Sequence, residues 1–232
     1  MTRLYNDPSS FALEAVAGMA AAYPRYLTAV HGGAVRSTAS PAGQVSVVIG
    51  GGSGHYPAFA AWVGPGMAHG SVCGNIFASP SASQVYSVAK AADNGGGILL
   101  AYGNYAGDVL HFGQAAERLR AEGYDVRTLE VSDDVASGPL ENLRDRRGVC
   151  GDLVVFKIAG AAAERGYDLA AVEQIAWRAN DRTRSLGVAF DGCTLPGATE
   201  PLFHVPAGQM SVGLGVHGEP GVYEVPMGSA SQ

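Results

Sequence analysis

Short β-prone runs that stop at glycine, alternating with segments of helical spacing, constrain the fold of this chain more than any other feature. Three runs are predicted as buried strands: 45–49 (VSVVI), 98–102 (ILLAY) and 126–131 (VRTLEV). Helices are predicted over 9–23, 81–93, 108–122, 152–165 and 168–186. This alternation predicts an α/β fold, a mostly parallel sheet flanked by helices.

Glycine-rich segments follow two of the predicted strands. Residues 50–55 (GGGSGH) come after the first strand and 103–108 (GNYAGD) after the second. The carboxyl ends of parallel strands share one edge of a sheet, where ligands bind in such folds. Glycine makes up 33 of the 232 residues and also clusters at 213–221. Clustered glycine indicates positive φ or close backbone approach to another group, so these three segments are the candidates for a site.

The sequence changes character near residue 185. From Gly187 onward it is rich in glycine, proline and short β-prone runs. We therefore expect a first α/β domain over 1–185, part of a second α/β domain over 186–225, and a flexible tail over 226–232.

Charge and cysteine content argue against several classes of function. The net charge of −6 and the scattered basic residues disfavour a nucleic-acid surface. The three cysteines form no CxxC pair, so neither a disulfide framework nor a metal site is expected. The first residues lack the apolar core of a signal peptide, and no run reaches the roughly 18 apolar residues that cross a bilayer. We expect a cytoplasmic protein with no membrane or nucleic-acid partner.

Three side chains in the glycine-rich segments are candidates for chemistry. His55 ends a loop whose N–H groups could face a ligand, although a plain strand-to-helix turn is an equally good interpretation. Asp108 would either cap the following helix or act as a base or hydrogen-bond acceptor. His217 is flanked by glycines that leave its ring approachable, and a neutral imidazole is a nucleophile at physiological pH; a lone histidine is otherwise more often structural.

Seven motifs occur in a fixed order: GGGSGH, NYAGD, SDDVA, RRGV, GAAAERG, GCTLPG and GVHGEPG. From about residue 3 to residue 222 the chain resembles the dihydroxyacetone-binding K subunit of dihydroxyacetone kinases, the Dak1-domain family. The resemblance implies that His217 holds a small hydroxyketone covalently as a hemiaminal, while His55 and Asp108 hold its hydroxyls and assist phosphorylation. It also implies substrate-binding positions at Gly52, Ser53, Gly54, Gly103 and Asn104.

The resemblance also implies partners. In this family the nucleotide lies on a separate L subunit or domain, so this chain would bind no cofactor and would present its substrate to that partner. The phosphate would come from ATP with magnesium, or from phosphoenolpyruvate, through the partner. A homodimer is expected as well.

Three departures from the family pattern bear on the substrate. A lysine is common where this chain has Gly103, and its loss opens space for a longer ketose such as erythrulose. A glutamate is common where Tyr56 stands, and the chain is shorter at its C-terminal end than most K subunits. Two alternatives to a kinase component stay open: a ketose-sensing coactivator, and an isomerase of small ketoses or their phosphates that uses His55 and Asp108 as acid and base.

Overall fold

The computed structural model describes residues 4–229 and Ser231 and contains a six-stranded sheet in the order β1-β2-β4-β3-β5-β6. Its strands are β1 (Leu27–Val30), β2 (Gly33–Arg36), β3 (Ser46–Ser53), β4 (Gly70–Ile76), β5 (Ile98–Gly103) and β6 (Val126–Val131). The four strands β4, β3, β5 and β6 run parallel, whereas β1 and β2 are antiparallel additions at one edge. The predicted mostly parallel α/β sheet is confirmed.

Five helices cover the two faces of this sheet. They are α1 (Phe11–Ala22), α2 (Ala82–Ala92), α3 (Ala106–Ala121), α4 (Gly151–Glu164) and α5 (Leu169–Asn180). Side chains alternate between the faces along each central strand: Val47 and Ile49 pack toward α4 and α5, and Val48 packs toward α2. All three are fully buried, and each such burial stabilises the fold by about 1.5–3 kcal/mol.

The helix starts follow local capping chemistry. Ser81 forms a capping box with Gln84 at the start of α2, and the Asp168 carboxylate accepts from the Ala171 N–H at the start of α5. Helix α5 ends at Asn180, six residues before the predicted end. The chain leaves the helix there because the Ser185 N–H bonds to the Asp133 carbonyl beside the sheet.

The predicted strand at 45–49 is too short, since β3 continues through three glycines to Ser53. The pairing with β4 extends this far because glycine lets the two backbones approach closely. Strands β1, β2 and β4 were not predicted at all.

A second, antiparallel sheet contains β7 (Val188–Ala189), β8 (Gln209–Val212) and β9 (Tyr223–Pro226). The division of the chain at 185 into two domains stays a prediction. The predicted tail, 226–232, overlaps this sheet at its first residues: Pro226 belongs to β9, and the Met227 N–H bonds to the Gly208 carbonyl. Ala230 and Gln232 lie outside the described residues.

Candidate functional site

A cavity of about 640 Å³ lies beyond the carboxyl ends of β3 and β5. The segments 50–55 and 103–108 follow these two neighbouring strands and line it together, as the alternation of strands and helices predicted. The loop carrying His217 closes the cavity from the second sheet's side. Three segments that are far apart in sequence therefore meet at one site.

Close packing requires glycine at the end of β3 that forms part of the cavity wall. A Cβ on Gly51 would lie 2.7 Å from the Phe59 ring, and one on Gly52 would lie 2.7 Å from the Ala78 backbone nitrogen. Real Cβ atoms do not approach other atoms so closely, so a side chain at 51 would displace the Phe59 ring and one at 52 would displace backbone. The bare backbone here forms part of the cavity wall.

His55 and His217 contact each other directly. Their Nε2 atoms lie 3.0 Å apart. His55 Nδ1 lies 2.8 Å from the Gly52 carbonyl oxygen, and His217 Nδ1 lies 3.0 Å from Glu219 Oε1. A carbonyl oxygen and a carboxylate can only accept, so both Nδ1 atoms donate.

The available donors determine what a hydrogen bond between the two histidine rings requires. With both Nδ1 atoms protonated, two neutral rings would present lone pairs to each other across the 3.0 Å contact between His55 Nε2 and His217 Nε2. That contact is a hydrogen bond only if one further proton lies between the two nitrogens. In that protonated form the pair would carry one positive charge beside the Glu219 carboxylate.

Glu219 holds His217 by two contacts. Besides the ring nitrogen, the backbone N–H of His217 donates to Glu219 Oε2 at 3.0 Å. Burial opposes ionisation of Glu219, but its hydrogen bonds, including those from His217, hold its pKa below the usual range. Arg147 Nη1 lies 3.9 Å from Glu219 Oε2, whereas Arg147 Nη2 pairs more closely with Asp134 Oδ2, at 2.7 Å. The carboxylate is thus ionised and fixed in place.

Aromatic rings surround the histidine pair. The His217 ring packs edge-on against Tyr105 and Phe77, with centroids 5.1 and 5.4 Å away, and Phe77 also lies 4.7 Å from the His55 ring. Burial lowers the pKa of His55. The His217 side chain remains 26% exposed, so its ring is held firmly and is still open to a ligand in the cavity.

Asp108 lies in the first turn of α3 and is buried in the opposite wall. The N-cap position of the helix is Tyr105, whose side chain makes no capping hydrogen bond, and Asp108 follows it in the first turn. Its Oδ2 accepts from Ser79 Oγ at 2.8 Å, and its Oδ1 is buried without a partner. Burial raises the pKa of Asp108 to about 6, in the range of a general base near neutral pH.

The remaining predicted positions divide into two groups. Gly52, Gly54 and Gly103 line the cavity. Ser53 and Asn104 are not among its lining residues, and both are engaged in the fold: the Ser53 carbonyl accepts from the Phe77 N–H, and the Asn104 amide donates to two carbonyls of the 144–146 segment.

Three residues of the site were not predicted individually. Glu219 and Tyr105 lie inside the motifs HGEPG and NYAGD, so the motifs could have indicated both residues as parts of the site. Asp152 lines the cavity from the first turn of α4. In the sequence, it is distinguished only as an acidic residue directly before the apolar run LVVF.

Within 4–229 and Ser231, histidine, cysteine, aspartate and glutamate form no group of three or more arranged to hold a metal ion. In the same part of the chain, no helix combines the length and the apolar character needed to cross a membrane.

The sequence matches the Dak1 domain family over residues 17–232. It is 68% identical over 232 residues to the L-erythrulose 1-kinase of Mycolicibacterium smegmatis, covering 100% of this chain and 41% of that protein. It is 45% identical over 225 residues to the dihydroxyacetone-binding subunit DhaK of the PTS-dependent dihydroxyacetone kinase 2 of Listeria innocua, covering 96% of this chain and 67% of the subunit.

Among solved structures, the dihydroxyacetone kinase of Citrobacter freundii in complex with AMP-PNP and Mg²⁺ matches with a TM-score of 0.88 at 39% identity. The match covers 97% of this chain and 42% of that one. The chain therefore spans about two fifths of the length of the two kinases from M. smegmatis and C. freundii.

Proposed function

The chain belongs to the Dak1 domain family, and from this premise we propose that it captures a short hydroxyketone, dihydroxyacetone or erythrulose, covalently on His217 and presents it for phosphorylation. The observation that carries the proposal is the arrangement Glu219–His217–His55 at the cavity wall. The Glu219 contact favours the His217 tautomer that is protonated on Nδ1, and His55 lies next to the Nε2 atom at the cavity wall.

The capture step begins when the hydrogen bond between the two rings opens, so that the shared proton stays on His55 Nε2 and the His217 Nε2 lone pair becomes free. The Nε2 lone pair of His217 attacks the ketone carbon, a C–N bond forms, and the π electrons of the C=O bond move to oxygen. His55 transfers the shared proton from its Nε2 to that oxygen, which gives the hemiaminal hydroxyl. The positive charge that was shared by the pair then resides on the substituted His217 ring, beside the Glu219 carboxylate.

This chemistry selects a ketone over a polyol of the same size. Glycerol has no electrophilic carbon and cannot form the C–N bond, although it fits the same space. Shape alone discriminates between such small ligands by only about 1–3 kcal/mol. Covalent capture therefore provides selectivity that the cavity walls cannot supply.

Asp108 is the proposed base for phosphoryl transfer. With the ketone fixed on His217, His55 and Asp108 hold the substrate hydroxyls, and the partly ionised Asp108 carboxylate accepts the proton of the terminal hydroxyl that attacks phosphorus. Holding substrate and base in one geometry reduces the entropic part of the barrier. The phosphate is supplied through a partner subunit or domain that binds ATP and magnesium, or that receives phosphate from phosphoenolpyruvate.

We propose a cytoplasmic homodimer for the complete protein. The three cysteines are unpaired, which fits a reducing compartment. Leu153, Val154 and Ile158 of α4 expose apolar surface that is a candidate for a subunit contact. Sedimentation of the purified protein measures the oligomeric state.

Phosphoryl transfer tests the proposal as a whole. The protein is incubated with dihydroxyacetone or erythrulose, ATP, magnesium and a nucleotide-binding L subunit, and the ketose phosphate is quantified. Product that depends on His217 and on the partner supports the kinase role. Capture of the ketone without any transfer would favour a ketose-sensing coactivator, and conversion of a ketose phosphate without a partner would favour an isomerase.

A further inference from the structure

Asp152 is a buried carboxylic acid that no step of the proposed capture uses. Its side chain lines the cavity, only 4% of the residue is exposed, and its Oδ1 has no hydrogen-bond partner. An unsatisfied buried polar atom costs about 1–3 kcal/mol, so a residue of this kind calls for a ligand or a partner.

The space next to Asp152 is open because residue 103 has no side chain. A Cβ on Gly103 would lie 3.2 Å from the Gly148 carbonyl oxygen, 3.4 Å from Asp152 Oδ2 and 3.5 Å from Tyr105 Cδ2. These three residues and Gly103 line the cavity. A side chain at 103 would therefore contact the Asp152 carboxyl group at the cavity wall.

The protonation state of Asp152 suits recognition of a hydroxyl. Burial, followed by the charges of Asp133 and Asp108, raises the pKa of Asp152 well above its usual range. A neutral carboxyl group both donates and accepts one hydrogen bond, which matches a neutral hydroxyl and not an anionic phosphate.

We propose that Asp152, reached through the gap at Gly103, hydrogen-bonds the additional hydroxyl of a four-carbon ketose and so sets a preference for that ketose over the three-carbon one. This inference rests on the proposed function, since the ketone must first be held on His217. The two hydroxyls of dihydroxyacetone are held by His55 and Asp108, and Asp152 gives the third hydroxyl of erythrulose a partner.

The test is the ratio of affinities for erythrulose and dihydroxyacetone, measured by titration calorimetry of the parent protein and of variants. Asp152→Ala is expected to lower that ratio about tenfold, the scale of one lost hydrogen bond to a buried group. Gly103→Ala, which narrows the gap from the other side, is expected to lower the same ratio. Asp145→Asn removes an exposed carboxylate away from the cavity and is expected to leave it unchanged.

The outcomes separate the two proposals. An unchanged ratio in Asp152→Ala and in Gly103→Ala overturns the role of Asp152, while binding of either ketone that depends on His217 leaves the proposed function standing. A parent protein that binds neither ketone overturns the proposed function and this inference with it. Should Asp152→Ala fail to fold, Gly103→Ala decides the question alone.

Discussion

The Nε2 atoms of His55 and His217 lie 3.0 Å apart, although the two residues are 162 positions apart in the sequence. Both Nδ1 atoms donate to fixed acceptors, so this contact requires one shared proton. In the proposed mechanism, the pair combines a nucleophilic nitrogen with a proton donor for the oxygen that its attack produces. Each element of that arrangement can be removed separately.

Glu219→Gln removes the negative charge beside His217 and keeps one oxygen that can accept from Nδ1, while its NH2 group replaces the oxygen that accepts from the His217 backbone N–H. The tautomer is preserved, but the positive charge that develops on the substituted ring loses its counter-charge. We expect affinity for dihydroxyacetone to fall about tenfold, the difference between a charge-assisted and a neutral hydrogen bond. Titration calorimetry measures this, with the exposed Glu224→Gln as the control. Equal affinity in the Glu219 variant and the parent would show that the charge plays no part in capture.

Asp108→Asn separates capture from phosphoryl transfer. The amide cannot accept the proton of the attacking hydroxyl, so turnover with the partner subunit is expected to fall by about 10²–10⁴-fold. Ketone capture on His217 does not require this proton transfer and should persist. Steady-state kinetics and calorimetry on the same preparation provide the two measurements. A variant with parental turnover would remove Asp108 from the mechanism.

Asp108 also makes stability depend on pH. Its pKa is raised from 3.8 to about 6 by burial, so the folded state binds the proton more tightly than the unfolded state. The group therefore costs stability progressively as the pH rises from about 4 to about 6, and the cost is complete above that range. Asp108→Asn is expected to stabilise the fold by about 3 kcal/mol above pH 6 and by little below pH 4. Denaturant unfolding across this range checks the sign, and a benefit confined to low pH contradicts it.

The glycines of β3 are expected to be irreplaceable for steric reasons. A Cβ on Gly50 would overlap the Val72 carbonyl oxygen of the paired strand, so Gly50→Ala is expected to destabilise the protein by about 3 kcal/mol. Gly113, inside α3, has nothing within 4 Å of such an atom. Gly113→Ala is expected to stabilise by up to about 1 kcal/mol, because alanine is the better helix former. Similar effects of the two substitutions would argue against the packing in β3.

Local sequence patterns correctly predicted several helices and strands whose residues favour that structure by themselves. The strand 126–131 and the helices near 81–93, 108–122 and 152–165 follow from β-branched runs, apolar spacing and capping residues. Strand β4 (GSVCGNI) was not predicted, because its two glycines give the segment a weak local preference for a strand. It is a strand because β2 and β3 pair with it on either side, and pairing of this kind overrides weak local propensity.

The location of the site could be predicted from the sequence, but most of the side-chain contacts within it could not. The sheet edge followed from the parallel order of β3 and β5, but nothing in the spacing brings residue 217 to His55, because that contact depends on the second sheet. Asn104 was expected at the substrate, yet its amide is bonded to the carbonyls of Arg144 and Arg146. Asp152 could not be predicted as a site residue, because it lies in a largely apolar helix and its burial depends on tertiary packing.

The central claim is the covalent bond between His217 and the ketone carbon, and one measurement addresses it directly. Dihydroxyacetone labelled with ¹³C at its carbonyl carbon is added to the protein and to His217→Ala, and ¹³C spectra are recorded. We expect a protein-bound resonance in the region of tetrahedral carbons with the parent, coupled to an imidazole nitrogen in ¹⁵N-labelled protein, and none with the variant. A bound ketone whose labelled carbon stays in the carbonyl region, or the same tetrahedral signal in His217→Ala, would contradict the account.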